Sequence, residues 1–411
     1  MLFGVFCVSL HYEITNTAMH FSTTISSDVL WLLIVGLNCL VITAVIYMCT
    51  VWKVTAWRRR ADKGDTTPGD TGLKPASVVI YSQSDADNLE SLLQAVLTQE
   101  YPEAFEVIVV NEGTSADVRD IVTVLKNSYP NLYLTSTPEG VVNLSRKKLA
   151  LTLGIKAARY DIVVHTTTAA AIESPLWLRD MMAPFADDNI ELVLGYAYAS
   201  PDDDNALGKR RRAFDHVAEN VRWLAAALAR NPFRGTEYNI AYRKETFMRN
   251  KGFAHTLNLR YGDDDIFISE VARRKNTAVV LTEESMVRLR HGNHPRIFSE
   301  AVLRRIFTES FIRRRPRFVF SLAGWLQLAT LAACVVAAVA SYPDMTPAIV
   351  AAVITLLLFA LDIYSWRAAM KALKSRSLAL TLPWFSITYP IRRIYYHIRA
   401  RLGKQKKYTW D

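Results

Sequence analysis

From Val29 to Trp52 the chain reads VLWLLIVGLNCLVITAVIYMCTVW, without one charged residue. A run of this length crosses a hydrocarbon core of about 30 Å. Its backbone polar groups must then be satisfied within the segment, which makes it a helix. No Lys or Arg precedes it in residues 1–28, whereas Lys53, Arg58, Arg59 and Arg60 come directly after it. Basic residues collect on the cytoplasmic side of a span, so the lead at 1–28 is expected outside and the rest inside. The opening MLFGVFCVSL is apolar like a signal peptide but lacks its basic start.

Two further spans are expected at 318–341, behind Arg313, Arg314, Arg315 and Arg317, and at 347–366, ahead of Arg367, Lys371, Lys374 and Arg376. Their connection YPDMTP has no basic residue, so they form a hairpin with both ends in the cytoplasm. In the tail at 367–411 the apolar run is short and interrupted by Pro383 and Pro390. It reads as interfacial, with Trp384, Tyr389, Tyr395 and Tyr396 at headgroup depth and a basic cluster on anionic membrane lipids. A fourth span is the alternative.

Composition agrees with this division. A hydrophobic share of 51% excludes a disordered chain. The formal net charge of +10, from 49 Lys+Arg against 39 Asp+Glu, lies largely beside the apolar runs, where topology accounts for it. The run Lys209, Arg210, Arg211, Arg212 has no nucleic-acid recognition motif around it, so no nucleic acid is expected as a partner. Cys39, Cys49 and Cys334 fall within apolar runs and Cys7 near the start, without CxxC spacing, so neither a disulfide framework nor a zinc site is expected.

A linker at 53–73, polar over ADKGDTTPGDTG, leads into a domain at 74–315. Strand-like SVVIY (77–81), FEVIVV (105–110), LYLT (132–135), DIVVH (161–165) and ELVLGYAYA (191–199) are separated by helix-patterned stretches, as at 87–99 and 146–158. That alternation predicts an α/β fold with a doubly wound, mostly parallel sheet. Ligands bind such sheets at the carboxyl ends of the strands.

The segments after those strands carry a resemblance. YSQSDADNLESLLQAVLTQEYP after the first strand and NEGTSAD after the second, with RKKLALTLGIKAA at 146–158 and GDDDIF at 262–267, are similar to bacterial membrane-bound family-2 glycosyltransferases. The resemblance covers roughly residues 74–315, with membrane helices in the same relative places. It implies a glycosyltransferase A-like domain in the cytoplasm, on a multi-pass protein of the bacterial inner membrane. Glu112 stands where the family commonly has a nucleoside-binding Asp; from the residues alone it is equally a solvated loop acid. Lys147 and Lys148, beside Arg146 at a helix start, would face diphosphate, or form a solvated basic face. Gly235 and Asn239, in FRGTEYNIAYRKETF, would lie beside the donor sugar.

The acidic triplet would supply the general base that inverting transfer needs. The role falls to Asp264, with Asp263 and Asp265 as supports; alone, the triplet reads as a helix cap. In EAVLRRIFTESFIRRR (300–315), Arg305 takes the arginine place of the family's QxxRW-like segment, though Arg304 is an alternative, as is a lipid-lying helix with a basic rim. The family's DxD motif is degenerate. Thr167 and Ala169 stand where two carboxylates would hold Mg²⁺ or Mn²⁺, so the resemblance implies a metal whose ligands are missing and no cofactor is evident.

The implied function is inverting glycosyl transfer from a nucleotide sugar to a lipid-linked or glycan acceptor, in polysaccharide or cell-envelope synthesis. The alternative is a catalytically impaired glycosyltransferase-like pseudoenzyme, acting as a nucleotide-binding subunit or the partner of a synthase.

Overall fold

The computed structural model describes residues 26–64, 72–83, 86–113, 115–138, 140, 143–199, 206–290, 292–312, 317–376 and 379–403. The expected lead before residue 26, the middle of the linker, Arg313–Arg315 and the last basic residues lie outside them.

The first apolar run is helix α1 (Ser27–Cys49), which continues past Thr50 as α2 (Val51–Asp62). The domain then contains β1 (Ala76–Ser82), α3 (Ala86–Leu97), β2 (Phe105–Asn111), α4 (Ala116–Lys126), β3 (Leu132–Ser136), α5 (Arg146–Ala157), β4 (Ile162–Thr167), β5 (Ala170–Ala171) and α6 (Trp177–Met182). Its second half contains β6 (Leu192–Leu194), β7 (Ala197–Ala199), α7 (Leu207–Leu228), β8 (Ile240–Arg243), α8 (Lys244–Arg249), α9 (Asp265–Val271), β9 (Thr277–Val279), β10 (Val287–Leu289) and α10 (Pro295–Thr308). Three long helices complete the chain: α11 (Arg317–Ala340), α12 (Met345–Ala372) and α13 (Leu382–Leu402).

The main sheet runs β3-β2-β1-β4-β8-β6-β9. Strands β3, β2, β1 and β4 are parallel, β8 is antiparallel to both β4 and β6, and β9 is parallel to β6. Every residue of β1 is buried, as expected where helices cover both faces of a parallel sheet. On one face, α3 buries Leu89, Leu92, Leu93 and Val96, a spacing that aligns them along one side of the helix. A small sheet, β5-β10-β7, closes the far end.

Residues 191–199 depart from the expected single strand, dividing into β6 and β7 in different sheets. The break falls at Gly195, whose N–H donates to the Asn239 carbonyl at 3.0 Å. A Cβ there would lie 2.4 Å from the Asn239 amide nitrogen, so the turn needs glycine.

Three helical stretches, Ser27–Asp62, Leu322–Ala340 and Met345–Ala372, are long and apolar enough to cross a membrane. The tail differs from an interrupted segment: α13 runs through Pro390, with Pro383 in its first turn. Pro390 packs on Gly324 of α11, where a Cβ would come within 2.4 Å of its ring.

At the junction of α1, α11, α12 and α13 lies a buried polar knot. The Tyr47 hydroxyl donates to Asp362 at 2.7 Å and lies 2.9 Å from the Ser386 hydroxyl. Gln327 donates to Asp362 at 2.8 Å and to the Tyr47 oxygen at 2.5 Å, and the Trp366 indole donates to Tyr47 at 2.9 Å. Polar groups removed from water are costly unless they satisfy one another, so the knot fixes how the four helices meet. Tyr47→Phe, which removes its central hydroxyl, should destabilise the protein by about 1–3 kcal/mol. A thermal unfolding midpoint in detergent equal to that of the parent would count against the clamp.

Two histidines are buried, His165 on β4 and His216 on α7, the latter 3.0 Å from the Ala197 carbonyl. Burial pushes each down to about 4, with a further contribution from nearby Lys147 and Arg305 respectively. The folded state therefore holds both neutral while the unfolded chain titrates near 6.5. Below about pH 6.5 the unfolded state binds more protons, so stability falls as pH drops towards 4, by up to roughly 3 kcal/mol per histidine. His165→Gln should remove about one proton from that slope, read by denaturant unfolding at several pH values between 7 and 4.5.

Candidate active site

The carboxyl ends of β1, β2 and β4 open on a cleft of about 760 Å³. Tyr81 ends its apolar run at the end of β1, and its hydroxyl donates to Glu112, just past β2. From β4 come Thr167 and, next in the chain, Thr168 and Ala169. Helix α5 begins at the cleft because Ser145 caps it, its hydroxyl accepting from the Lys148 N–H at 3.4 Å. That start presents Arg146 and Lys147 to the cleft. The rest of the wall has Glu237, Tyr238, Arg260, Tyr261, Asp263 and Arg304.

A charge network organises this wall. The Lys147 ammonium pairs with Glu237 and lies 2.6 Å from Asp263 and 5.4 Å from the centre of the Tyr81 ring. Arg304, from α10, reaches Glu237 at 2.5 Å and Asp264 at 3.1 Å. Glu237 therefore bridges both cations. Burial alone would raise Asp263, but Lys147 and Arg304 outweigh it and hold the carboxyl well below the usual range. Burial lowers the Lys147 ammonium, with Asp263 acting against it. Arg304 is raised despite its burial, by Asp264 and Asp263.

The acidic triplet divides three ways. Asp263 lines the cleft. Asp264, expected as the base, does not line the cleft: it is buried, and its second oxygen, Oδ1, has no hydrogen-bond partner. Asp265 faces inward, 3.1 Å from Arg234 and 2.8 Å from the Thr308 hydroxyl, and burial raises it to about 6. The turn before them needs Gly262, at φ +101°, a conformation that side chains rarely adopt.

Four residues expected at the donor lie elsewhere. Lys148 is fully buried, donating to the carbonyls of Thr256, Leu259 and Tyr261 at 2.5, 3.2 and 2.9 Å. One residue along a helix is a turn of about 100°, so Lys147 and Lys148 cannot share a face. The same rotation separates Arg304, in the cleft, from Arg305, whose charge is felt by Glu219 and His216 instead. Asn239 is a structural clamp: its amide donates to the Tyr196 and Ser285 carbonyls at 3.1 and 2.7 Å and accepts from Trp177 at 3.0 Å. Gly235 is packed where a Cβ would lie 2.6 Å from Ile268. Glu112 and Lys147 do line the cleft. Sequence reasoning missed Glu237 and Tyr81; the signals were an acid two residues before Asn239 and a tyrosine ending an apolar strand.

The wall formed by Thr167, Thr168 and Ala169 offers two hydroxyls and a methyl. The Thr167 hydroxyl is buried with no hydrogen-bond partner. Among the described residues, no three His, Cys, Asp or Glu side chains are grouped to hold a metal ion. Of the cleft carboxylates, Glu237 and Asp263 already enclose the Lys147 ammonium and Glu112 is held by the Tyr81 hydroxyl. Mg²⁺ and Mn²⁺ take hard, preferably anionic oxygen ligands, so the residues present do not fit one.

Residues 77–256 match the family model Glycosyl transferase family 2. Mannosyltransferase PcManGT from Pyrobaculum calidifontis, solved with GDP-Man and Mn²⁺, is 19% identical and superposes with a TM-score of 0.50 over 89% of this chain and all of its own. TarS of S. aureus shares 15% identity, with a TM-score of 0.39 over 73% of this chain and 55% of that one. Glucosyl-3-phosphoglycerate synthase from Mycobacterium tuberculosis, solved with Mn²⁺, UDP-glucose and phosphoglyceric acid, shares 18%, with 0.37 over 64% and 82%. No curated protein sequence matches the chain. On this match and this fold, the chain carries a glycosyl transferase family 2 domain, built on a mostly parallel sheet and joined to three helices able to span a membrane.

Proposed function

We propose that the cleft transfers a sugar, with inversion, from a nucleotide-sugar donor to a lipid-linked or glycan acceptor at the membrane surface. The observation that carries this reading is the convergence of Glu112, Lys147, Arg304 and Asp263 at the carboxyl ends of parallel strands in a family-2 domain, with Asp264 held beside them by Arg304. PcManGT, of like fold, was solved with GDP-Man, which supports a nucleotide sugar as donor.

Glu112, held by the Tyr81 hydroxyl, accepts from the nucleoside; Lys147 and Arg304 face the diphosphate. Asp263 is a poor proton acceptor, because its neighbours keep it ionised. Asp265 is committed to Arg234 and Thr308. Asp264 remains, oriented by Arg304 through one oxygen and with the other unpartnered. It takes the acceptor hydroxyl's proton as that oxygen attacks the anomeric carbon, on the face opposite the breaking bond to the diphosphate. Lys148, Asn239 and Gly235 act by positioning: the lysine ties three carbonyls just before the acidic triplet, and the other two seat the loop that carries Glu237.

The basic residues after α1 and around α11 and α12 support a reading in which the domain, 74–315, lies on the cytoplasmic side of an inner membrane, with spans at 29–52, 318–341 and 347–366. One observation favours a second reading, that of an impaired enzyme serving as nucleotide-binding or synthase-partner subunit: two of the cleft cations, Lys147 and Arg304, are already paired with carboxylates.

Full-length protein in detergent, incubated with UDP-glucose, UDP-GlcNAc and GDP-mannose, should release UDP or GDP from at least one of them. Asp264→Asn should lower that release by about 10²-fold or more while nucleotide-sugar binding stays within a few-fold. Loss in Asp263→Asn alone would move the base to Asp263. Binding without release from any donor, with or without Mn²⁺, would favour the impaired reading.

A further inference from the structure

The unusual feature of the cleft is a cation that the chain supplies itself, the Lys147 ammonium. The wall at Thr167, Thr168 and Ala169 presents no anionic ligand. In the same cleft two buried carboxylates, Glu237 and Asp263, converge on one positive charge, the Lys147 ammonium. Two carboxylates closing on a cation is the arrangement a metal would otherwise stabilise, and here the chain supplies the cation itself. A second fixed cation, Arg304, meets the other oxygen of Glu237 at 2.5 Å. Glu237 is thus an anion seated where two cations meet, in an open cleft large enough for a nucleotide.

We propose that this cleft binds the donor's diphosphate without a divalent cation, with Lys147 and Arg304 as the neutralising charges and Glu237 as the internal anion that the diphosphate displaces. The proposal rests on the reading of the cleft as a nucleotide-sugar site. A diphosphate has more charge and more acceptor oxygens than one carboxylate, and it can meet a guanidinium and an ammonium at once. Arg146 and Arg260 line the same cleft, so four basic side chains face three acidic ones, Glu112, Glu237 and Asp263. Moving Glu237 off the cations shifts that balance toward the incoming anion. The lysine keeps Asp263 and the Tyr81 ring as fixed neighbours, so it stays in place when Glu237 leaves.

The test is calorimetric titration of the full-length protein in detergent with UDP and with GDP, in EDTA and in Mn²⁺. The expected result is binding of one nucleotide with dissociation constants that agree within about two-fold between the two conditions. Glu237→Gln removes the competing charge but keeps the shape, and should tighten binding on the order of ten-fold. Lys147→Met should weaken it by a similar factor. Binding only in Mn²⁺ overturns the proposal and leaves the donor reading standing. Weaker binding in Glu237→Gln, with an unchanged unfolding midpoint, overturns the displacement of Glu237. No binding of either nucleotide in both conditions overturns the donor reading and this proposal with it. The comparison of EDTA with Mn²⁺ uses the unmutated protein, so it decides the matter even if a variant fails to fold.

Discussion

Helix α7 is the member on which the rest depends. It is buried along most of its length, from Arg212 to Ala227. One hydrophobic core runs without interruption from the sheet residues Val79 and Ile108, through Phe214, Val217 and Leu224 of α7, to Ile46, Val51, Trp366 and Phe385 of the apolar helices. A domain tethered by a linker would be free to tumble; this one shares its interior with the long apolar helices. Polar contacts repeat the connection. Arg392 of α13 reaches Asp215 of α7 at 2.5 Å, and Tyr389 of α13 donates to Glu219. Burial would raise Glu219, but Arg222 and Arg393 outweigh it and hold the carboxyl well below its ordinary value. The ion pairs are largely dry, so they contribute through geometry as much as energy: breaking one partner leaves a buried charge uncompensated.

Charge compensation is also the principle of the cleft. Lys147, Arg304, Glu237, Asp263 and Asp264 form a closed set in which each cation meets two carboxylates. Such a set is stable without ligand, and a substrate enters by exchanging partners within it. Affinity in a site of this kind follows the difference between two ion pairings, which is smaller than either pairing alone.

Much of the architecture was legible in the sequence. The strands β1, β2 and β4 and the helix α5 lie within a residue or two of their apolar patterns, because burial on both faces of a parallel sheet leaves a continuous apolar signature. The break at Gly195 was not legible, since it depends on Asn239, remote in sequence, filling the space beside it. Nor was the continuity of α13, since a proline inside a helix is tolerated only where a neighbour makes room, and that neighbour is Gly324. At the site, residue types were readable but their rotation was not. Consecutive pairs, Lys147 with Lys148 and Arg304 with Arg305, offer the same chemistry, and only the helix phase decides which one meets the cleft.

Helix α10 has Arg304 on the side facing the cleft, and just past its end Glu309 pairs with Arg393 of α13 at 3.1 Å. Phe298 near its start packs edge-on against Tyr396 of α13. The helix is therefore a short lever with both ends resting on a helix whose own outer residues, Ile391, Ile394, Tyr395, Ile398 and Leu402, are exposed and largely apolar. That outer stripe and the cleft cation Arg304 are thus linked through two packed helices. Whatever packs against that stripe is only one helix away from the cleft.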